Sequence, residues 1–426
     1  MKRYLTGIDW IVHSLDYAGK SQCGVGNASE IVLELNGRPD AEELQTALVG
    51  FLQKFPVVNG VPSRALNLCP YWKIPAPGKM LPIHVTTRHL EETDDPSLSM
   101  TAQVNTPFEN KRTHLAFYLL DTPERAFLCM TFDHRLMDAR GAEAFLALFQ
   151  RYYEKNDLPQ VVLEEPSHLD HWKENFLAGQ QVNRFFLGLS KDKPRILPLQ
   201  THSRDCRFLS ASFDAVQSAR IVEIAYEQAG YLMLMPFLLA KTIQVMHRIV
   251  DSRNTEGPAY LVPVSVDTRP QDTVNKEIFF NYVSFFFFRA GVESAGDFPV
   301  LLENIKQQMY GQVSAKLPEA LTKASLLLRI APLPMVNFFL RRMSNKSFAS
   351  FSFSFVGSAY DLPNFMRGEV HNILHFPRVP NPPGIGVFFT QFKGKLNVTL
   401  SYFDGMLCND EALQIIAELK AIANAA

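Results

Sequence analysis

His134 closes the stretch Phe127-Leu-Cys-Met-Thr-Phe-Asp-His134, an apolar run long enough for one strand, and Asp138 follows four residues later. An amphipathic helix starts just beyond. An imidazole fixed where a strand ends is placed to take a proton from a hydroxyl, thiol or amine if a pocket opens beside it. The His-x-x-x-Asp spacing alone is cheap, and His247…Asp251 repeats it. That second match sits at the polar end of Leu232–Val250, a helical pattern, so His247 is expected to face solvent without a role. Strand–turn–helix context separates His134 from its twin.

Other chemistries lack their signatures. The chain has no Gly-x-x-x-x-Gly-Lys-Ser/Thr loop, no Gly-x-Gly-x-x-Gly after a strand, no Gly-x-Ser-x-Gly elbow and no His-Glu-x-x-His. NTP hydrolysis, nicotinamide redox chemistry, serine hydrolysis and zinc proteolysis lose their main support. The five cysteines are scattered with no Cys-x-x-Cys pair, which argues against a disulfide framework or a zinc site. A formal net charge of −1 supplies no field toward nucleic acid or an anionic membrane. Met1-Lys-Arg-Tyr-Leu lacks the apolar core of a signal peptide, and the longest apolar run, Tyr231–Ala240, contains Pro236 and is too short to span a bilayer. A soluble, cytoplasmic enzyme is expected.

At 426 residues the chain exceeds one ordinary core and fits two domains. Ala28–Asn36 alternates as a half-buried strand. Asp40, with Glu43 three residues on, opens a helix whose stripe is Leu44, Ala47, Leu48, Phe51 and Phe55, and Pro56 ends it. Leu115–Leu120 and Ala126–Phe132 read as neighbouring strands across a turn at Asp121, and Gly141–Tyr153 as a helix. Prolines interrupt the pattern near Ser190–Asp205. Beyond them come helices at Phe213–Gln228, Leu232–Val250 and Phe298–Val313, with a last one opening at Asn409. Strands are expected at Ala259–Val266, Tyr282–Phe288, Ser350–Val356, Ile385–Phe392 and Leu396–Tyr402.

Phenylalanines cluster at 279–288, 348–355 and 388–389. They fit strands buried on both faces, or an aromatic-lined tunnel for an acyl chain or apolar acceptor. Phe176–Lys193 and Leu326–Arg342 mix bulky apolar residues (Phe185, Phe186, Leu187; Phe338, Phe339, Leu340) with basic ones (Arg184, Lys191, Lys193; Arg341, Arg342). Both fit ordinary packed helices, or apolar covers over a substrate entrance with weak membrane-surface contact. Arg341, Arg342 and Lys346 could meet a cofactor phosphate, or simply form a solvated charge run.

Asp133-His134-Arg-Leu-Met-Asp138 resembles the active-site motif of the CoA-dependent acyltransferase superfamily, which includes chloramphenicol acetyltransferase, BAHD acyltransferases, wax ester synthase/diacylglycerol acyltransferases and peptide-synthetase condensation domains. The likeness runs along nearly the whole chain. The opening Thr6-Gly-Ile-Asp9-Trp, and Leu33–Gly37 with the helix ending at Pro56, look like its first segment. Pro263–Pro270, containing Arg269, is similar to a Pro-Val-x-x-Arg-Pro strand end, and Phe280-Asn281-Tyr-Val-Ser284 to a Gly-Asn-x-x-Ser crossover. Phe353-Ser354-Phe-Val-Gly357 stands where Ser-Asn-x-x-Gly is expected, and Leu400–Gly405 resembles the closing hairpin.

The resemblance implies an α/β protein of two chloramphenicol acetyltransferase-like domains, residues 1–195 and 196–426, each a mixed sheet with helices, around an active-site channel. It implies that His134 deprotonates an acceptor that attacks an acyl thioester, and that Asp138 is structural and pairs with Arg269. The arginine site used by other members falls near Asn59, which cannot form that ion pair. Asp138 also reads as the N-cap of the following helix. An oxyanion donor is expected at Ser354 or Asn281. Acyl-CoA enters as co-substrate with no tightly bound cofactor, and the acceptor is a hydrophobic alcohol or amine. The competing readings are a carrier-protein-dependent condensation-type domain and a catalytically silent binding protein. A monomer is expected. Two departures stand out: Asp133 replaces the frequent first histidine, and Ala139 replaces a glycine, with Gly141 two residues later.

Overall fold

The computed structural model describes the chain except residues 77, 92–93, 159–160, 162, 164–170, 190–192, 200–204, 271–276, 345–348 and 425–426, and the side chains of 339–344. Lys191, Phe339, Leu340, Arg341, Arg342 and Lys346, and part of the Ser190–Asp205 boundary, therefore lie outside the described residues. In chain order the strands are β1 (Lys2–Tyr4), β2 (Ala28–Asn36), β3 (Val61–Arg64), β4 (Pro70–Lys73), β5 (Val85–His89), β6 (Leu115–Asp121), β7 (Ala126–Asp133) and β8 (Cys206–Ser212). They continue as β9 (Ala259–Asp267), β10 (Val283–Gly291), β11 (Ser352–Ser358), β12 (Asn364–Phe365), β13 (Gly368–Pro377), β14 (Ile385–Phe392) and β15 (Lys395–Phe403).

Two six-stranded mixed sheets form, in the orders β12-β13-β2-β7-β6-β5 and β10-β9-β11-β14-β15-β8, beside a small sheet β1-β4-β3. In the first, β5 runs parallel to β6. In the second, β11 runs parallel to both neighbours. The α/β architecture of two mixed sheets with helices is thus observed. The second sheet takes all its strands from residues after 205, and the first takes its strands from residues before 134 except β12 and β13, which complete it against β2. Composition along a chain cannot say which sheet a strand joins, so this exchange had no local signal.

β2 has the expected bounds but is buried on both faces rather than one. Ile31, Leu33 and Leu35 enter the N-terminal core beneath the helices Ala41–Leu52 and Ala139–Lys155, with Leu44, Phe51, Phe145 and Phe149. Val32 on the opposite face joins the core built on the second sheet, next to Tyr118 and Cys129. The polar residues of that face are consequently enclosed. Glu30 is fully buried, and Tyr118 and Thr131 bond its Oε2. Burial pushes its carboxyl up to about 8, with those hydrogen bonds pulling only partly back.

The phenylalanines mainly fill cores. Phe286 and Phe288 point into the C-terminal core, and Phe279 and Phe280 into the N-terminal one. β10 alternates rather than burying both faces equally, and Phe287 packs outward on Phe185 and Phe186 of the helix Trp172–Leu189. β10 is also an edge strand. Gln312 bonds both the N–H and C=O of Phe287, and Gln308 does the same at Arg289, so side chains complete the ladder. Among the described residues no single helix is long and apolar enough to cross a membrane.

A raised carboxyl stabilises the fold only while protonated. The Glu30 contribution is fully present below about 4.5 and is lost as pH rises through about 8. Glu30→Gln should therefore flatten the fall in melting temperature across that window. Parallel melting curves of the two proteins that fall equally steeply would contradict this.

Candidate functional site

β7 pairs with β2 on one side and β6 on the other, and delivers Asp133 and His134 to its C-terminal end. The turn is then fixed by its own side chains. Asp133 Oδ1 accepts the Arg135 N–H at 2.9 Å, and both carboxylate oxygens accept the Arg135 guanidinium. His114 Nδ1 lies 2.9 Å from Asp133 Oδ2 and its Nε2 2.8 Å from the Gly60 carbonyl. Burial alone would raise the Asp133 carboxyl, but Arg135 and His114 outweigh it and hold it well below the usual carboxylate range. Asp133, where the resemblance leads one to expect a first histidine, is thus a buried anchor of the turn, and His114, just ahead of the neighbouring strand β6, supplies an imidazole.

His134 itself is half-buried. Its Nδ1 lies 3.0 Å from Asn281 Oδ1, just ahead of β10. The Asn281 amide has a forced orientation. Its Nδ2 donates to the His134 carbonyl at 3.0 Å and faces Asp9 Oδ1 at 3.5 Å, so its oxygen must face the ring. The hydrogen therefore sits on Nδ1, leaving the lone pair on Nε2. Nε2 has no protein partner among the described residues. One nitrogen is occupied and the other is free, unlike a fully satisfied core histidine.

Asp138 carries two tasks at once. As N-cap of Ala139–Lys155 its Oδ1 accepts the Gly141 N–H at 2.8 Å, and the same oxygen receives Arg269 Nη2 at 2.7 Å. Its Oδ2 accepts the Tyr282 N–H at 3.0 Å. Arg269 is held further by the Glu277 carbonyl at 2.9 Å and by Asp267 at 3.1 Å. Burial would lower its guanidinium pKa, but the Asp138 carboxylate keeps it above the usual value. Gly141 is required here because a Cβ would come within 2.2 Å of the Ile278 carbonyl oxygen, so the helix presses directly on the crossover segment. That explains a glycine at 141 where the family places one at 139.

Asn281 cannot serve as oxyanion donor, since both hydrogens of its amide face acceptors. Ser354 on β11 accepts a hydrogen bond of 2.6 Å from Ser265 of β9, and among the described residues no hydrogen bond links it to the His134 group. Asn59 is buried and bonds the Arg112 carbonyl and the Leu81 N–H. His247, expected to face solvent, instead lies half-buried with Nδ1 2.8 Å from the buried Tyr260 hydroxyl. Burial lowers its pKa. An apolar cavity of about 270 Å³ lies between the helix Trp172–Leu189 and β10, lined by Phe185, Leu189, Phe287 and Leu317, and touches none of the His134 group. Asp9 is the residue that sequence reasoning passed over as part of the site. It stood in the Thr6–Trp10 stretch of the resemblance without a role, and its other signal was the Thr6-x-x-Asp9 spacing of a capping box, which the helix Gly7–Cys23 has.

No protein-family model matches the sequence, and no curated protein matches it. Solved structures do. The TRI3 trichothecene 15-O-acetyltransferase from Fusarium sporotrichioides superposes with a TM-score of 0.71 at 13% identity, over 99% of this chain and 95% of its own. The first condensation domain of the calcium-dependent antibiotic synthetase gives 0.72 at 16% identity, over 99% and 97%. The polyketide synthase associated protein 5 from Mycobacterium tuberculosis gives 0.62 at 12%, over 97% of each chain. The chain has the fold of the CoA-dependent acyltransferases and condensation domains. That likeness concerns the backbone; the chemistry rests on the side chains above.

Because Arg269 and Asp138 neutralise each other out of water, removing either should cost about 3–5 kcal/mol. Arg269→Ala and Asp138→Ala should destabilise alike in urea titrations, and the double variant should cost much less than their sum. Full additivity would show that the pair is not coupled.

Proposed function

We propose that the protein is an acyltransferase that moves an acyl group from acyl-CoA to a hydroxyl or amine of a hydrophobic small molecule, with His134 as general base. The observation that carries this is the Asn281–His134 hydrogen bond, which leaves Nε2 as an open, proton-accepting nitrogen. Nε2 takes the acceptor's proton as its oxygen or nitrogen bonds to the thioester carbonyl carbon. The tetrahedral intermediate then expels the thiolate as the carbon–sulfur bond breaks, and the proton on Nε2 passes to that sulfur. Asp138 and Arg269 act at a distance, by clamping the segment that carries Asn281. No tightly bound cofactor is required.

A second reading has a specific motive. Condensation domains stand among the structural neighbours as prominently as the acetyltransferase does, which favours a donor thioester presented on a carrier protein. The catalytic geometry would be the same and only the donor would differ.

Incubation with acyl-CoAs of graded length and pooled alcohols and amines, following free thiol, tests the first reading. Turnover should appear and should fall by roughly 10²–10⁴ in His134→Ala with the fold intact. Thiol release only from acyl-carrier protein would move the second reading to the front. Turnover that survives His134→Ala would remove the imidazole from the mechanism.

A further inference from the structure

Three consecutive backbone N–H groups cross from one half of the molecule to the other. Phe280 N–H donates to the Leu136 carbonyl at 2.6 Å, Asn281 N–H to Asp9 Oδ1 at 3.1 Å, and Tyr282 N–H to Asp138 Oδ2 at 3.0 Å. The two carboxylates that flank Asn281 are each buried and each paired with a buried arginine, Asp138 with Arg269 and Asp9 with Arg3. Asp9 has 0% exposure and Arg3 3%. The resemblance implied the first pair; of the second it covers only Asp9, within Thr6–Trp10, and gives that residue no role.

The oxygens of Asp9 divide their work. Oδ2 takes Arg3 and the Thr6 N–H, which anchors the start of the helix Gly7–Cys23. Among the described residues Oδ1 faces only Asn281, meeting its backbone N–H and its side-chain amide. The Arg3 guanidinium also lies 3.8 Å from the ring centroid of Phe280. Phe280 needs such a restraint, because its φ of 74° is a left-handed conformation that side chains disfavour. The peptide that leads into Asn281 is thus gripped on both sides by one ion pair. Burial would raise the Asp9 carboxyl, yet Arg3 and the hydrogen bonds hold it below its ordinary value, so it stays an acceptor.

We propose that the buried Arg3–Asp9 pair is a positioning pair for His134, acting through Asn281 to fix which ring nitrogen carries the proton. The proposal rests on the reading of His134 as base, but its physical content is a tautomer, which can be observed without turnover. The His134 carbonyl at 3.0 Å and Asp9 Oδ1 at 3.5 Å together draw the Asn281 NH₂ away from the ring. Loss of the Asp9 acceptor leaves only the carbonyl opposing a turn of the amide, which would place its NH₂ against the ring and draw the lone pair to Nδ1. Nε2 would then carry the hydrogen and could no longer accept one.

The test is ¹⁵N spectroscopy of the full chain labelled in its histidine rings, with His134 assigned by its loss in His134→Gln. Wild type should show a single tautomer with Nδ1 protonated. In Asp9→Asn the remaining oxygen is held by the charged Arg3, the stronger partner, and an NH₂ faces the Asn281 N–H. A population protonated at Nε2 should appear, and kcat for thiol release should fall by about 10- to 10³-fold, within the ~10⁴ that a wrongly held tautomer costs in a comparable base. Since Asp9→Asn leaves Arg3 buried and poorly compensated, Arg3→Met/Asp9→Leu serves as a second variant. An apolar pair of similar volume is commonly tolerated where an ion pair was buried, and it too removes the acceptor. Thr6→Ala weakens the same helix start without touching Asn281, so it should lower the melting temperature and leave the His134 signals unchanged. A folded Arg3→Met/Asp9→Leu protein that keeps the wild-type tautomer overturns the proposal. A tautomer shift in a protein that releases no thiol from any donor upholds the positioning role and overturns the acyltransfer reading instead.

Discussion

The hydrogen bond between His134 and Asn281 joins residues from opposite halves of the chain, and the rest of the site is arranged to make it inescapable. His134 arrives at the end of a central strand of one sheet, and Asn281 arrives just before the edge strand of the other. Neither could hold a defined ring orientation alone. A histidine at a strand end can rotate about χ2, and an asparagine amide can flip at little cost unless its donors and acceptors are matched. Here every polar atom of the Asn281 side chain has an assigned partner, so the ring inherits its orientation from the backbone of both halves.

Placing charged carboxylates around such a contact is expensive in isolation. Asp9, Asp133 and Asp138 are all removed from solvent, and each is compensated by an arginine: Arg3, Arg135 and Arg269. Buried ion pairs are weak evidence for net stability, because desolvation offsets most of the attraction. Their value here is directional. A carboxylate offers fixed acceptors to backbone N–H groups at Arg135, Gly141, Asn281 and Tyr282 that no apolar replacement could satisfy. The apolar packing of Phe145, Phe149 and Phe279 nearby supplies the cohesion, and the ion pairs supply the geometry.

Much of this was legible before any coordinates. The bounds of β2, the hairpin of β6 and β7, and the helix capped by Asp138 follow from periodicity and turn chemistry, all of which act over a few residues. The spacing of His134 and Asp138 singled out one half of the site, and the resemblance singled out Arg269. Asn281 was named for a different task, because a sequence shows that an amide is present but not which of its atoms are already taken. Asp9 and His114 were missed for a related reason. Their partners, Asn281 and Asp133, lie in other elements, and no local pattern encodes a pairing made only after the sheets assemble. The burial of Glu30 was hidden in the same way, since the alternation of β2 reports one covered face and says nothing about a second sheet laid against the other.

The exchange of β13 into the first sheet carries a consequence for how the molecule comes into being. Leu33 pairs with Ile373, so the N-terminal sheet is open along β2 until the chain has been synthesised past β13. A nascent N-terminal half therefore waits with a bare strand edge, the kind of surface that invites mispairing. It also means that a cut between the halves would strip the first sheet of β12 and β13 and leave the other half with an orphaned two-stranded ribbon.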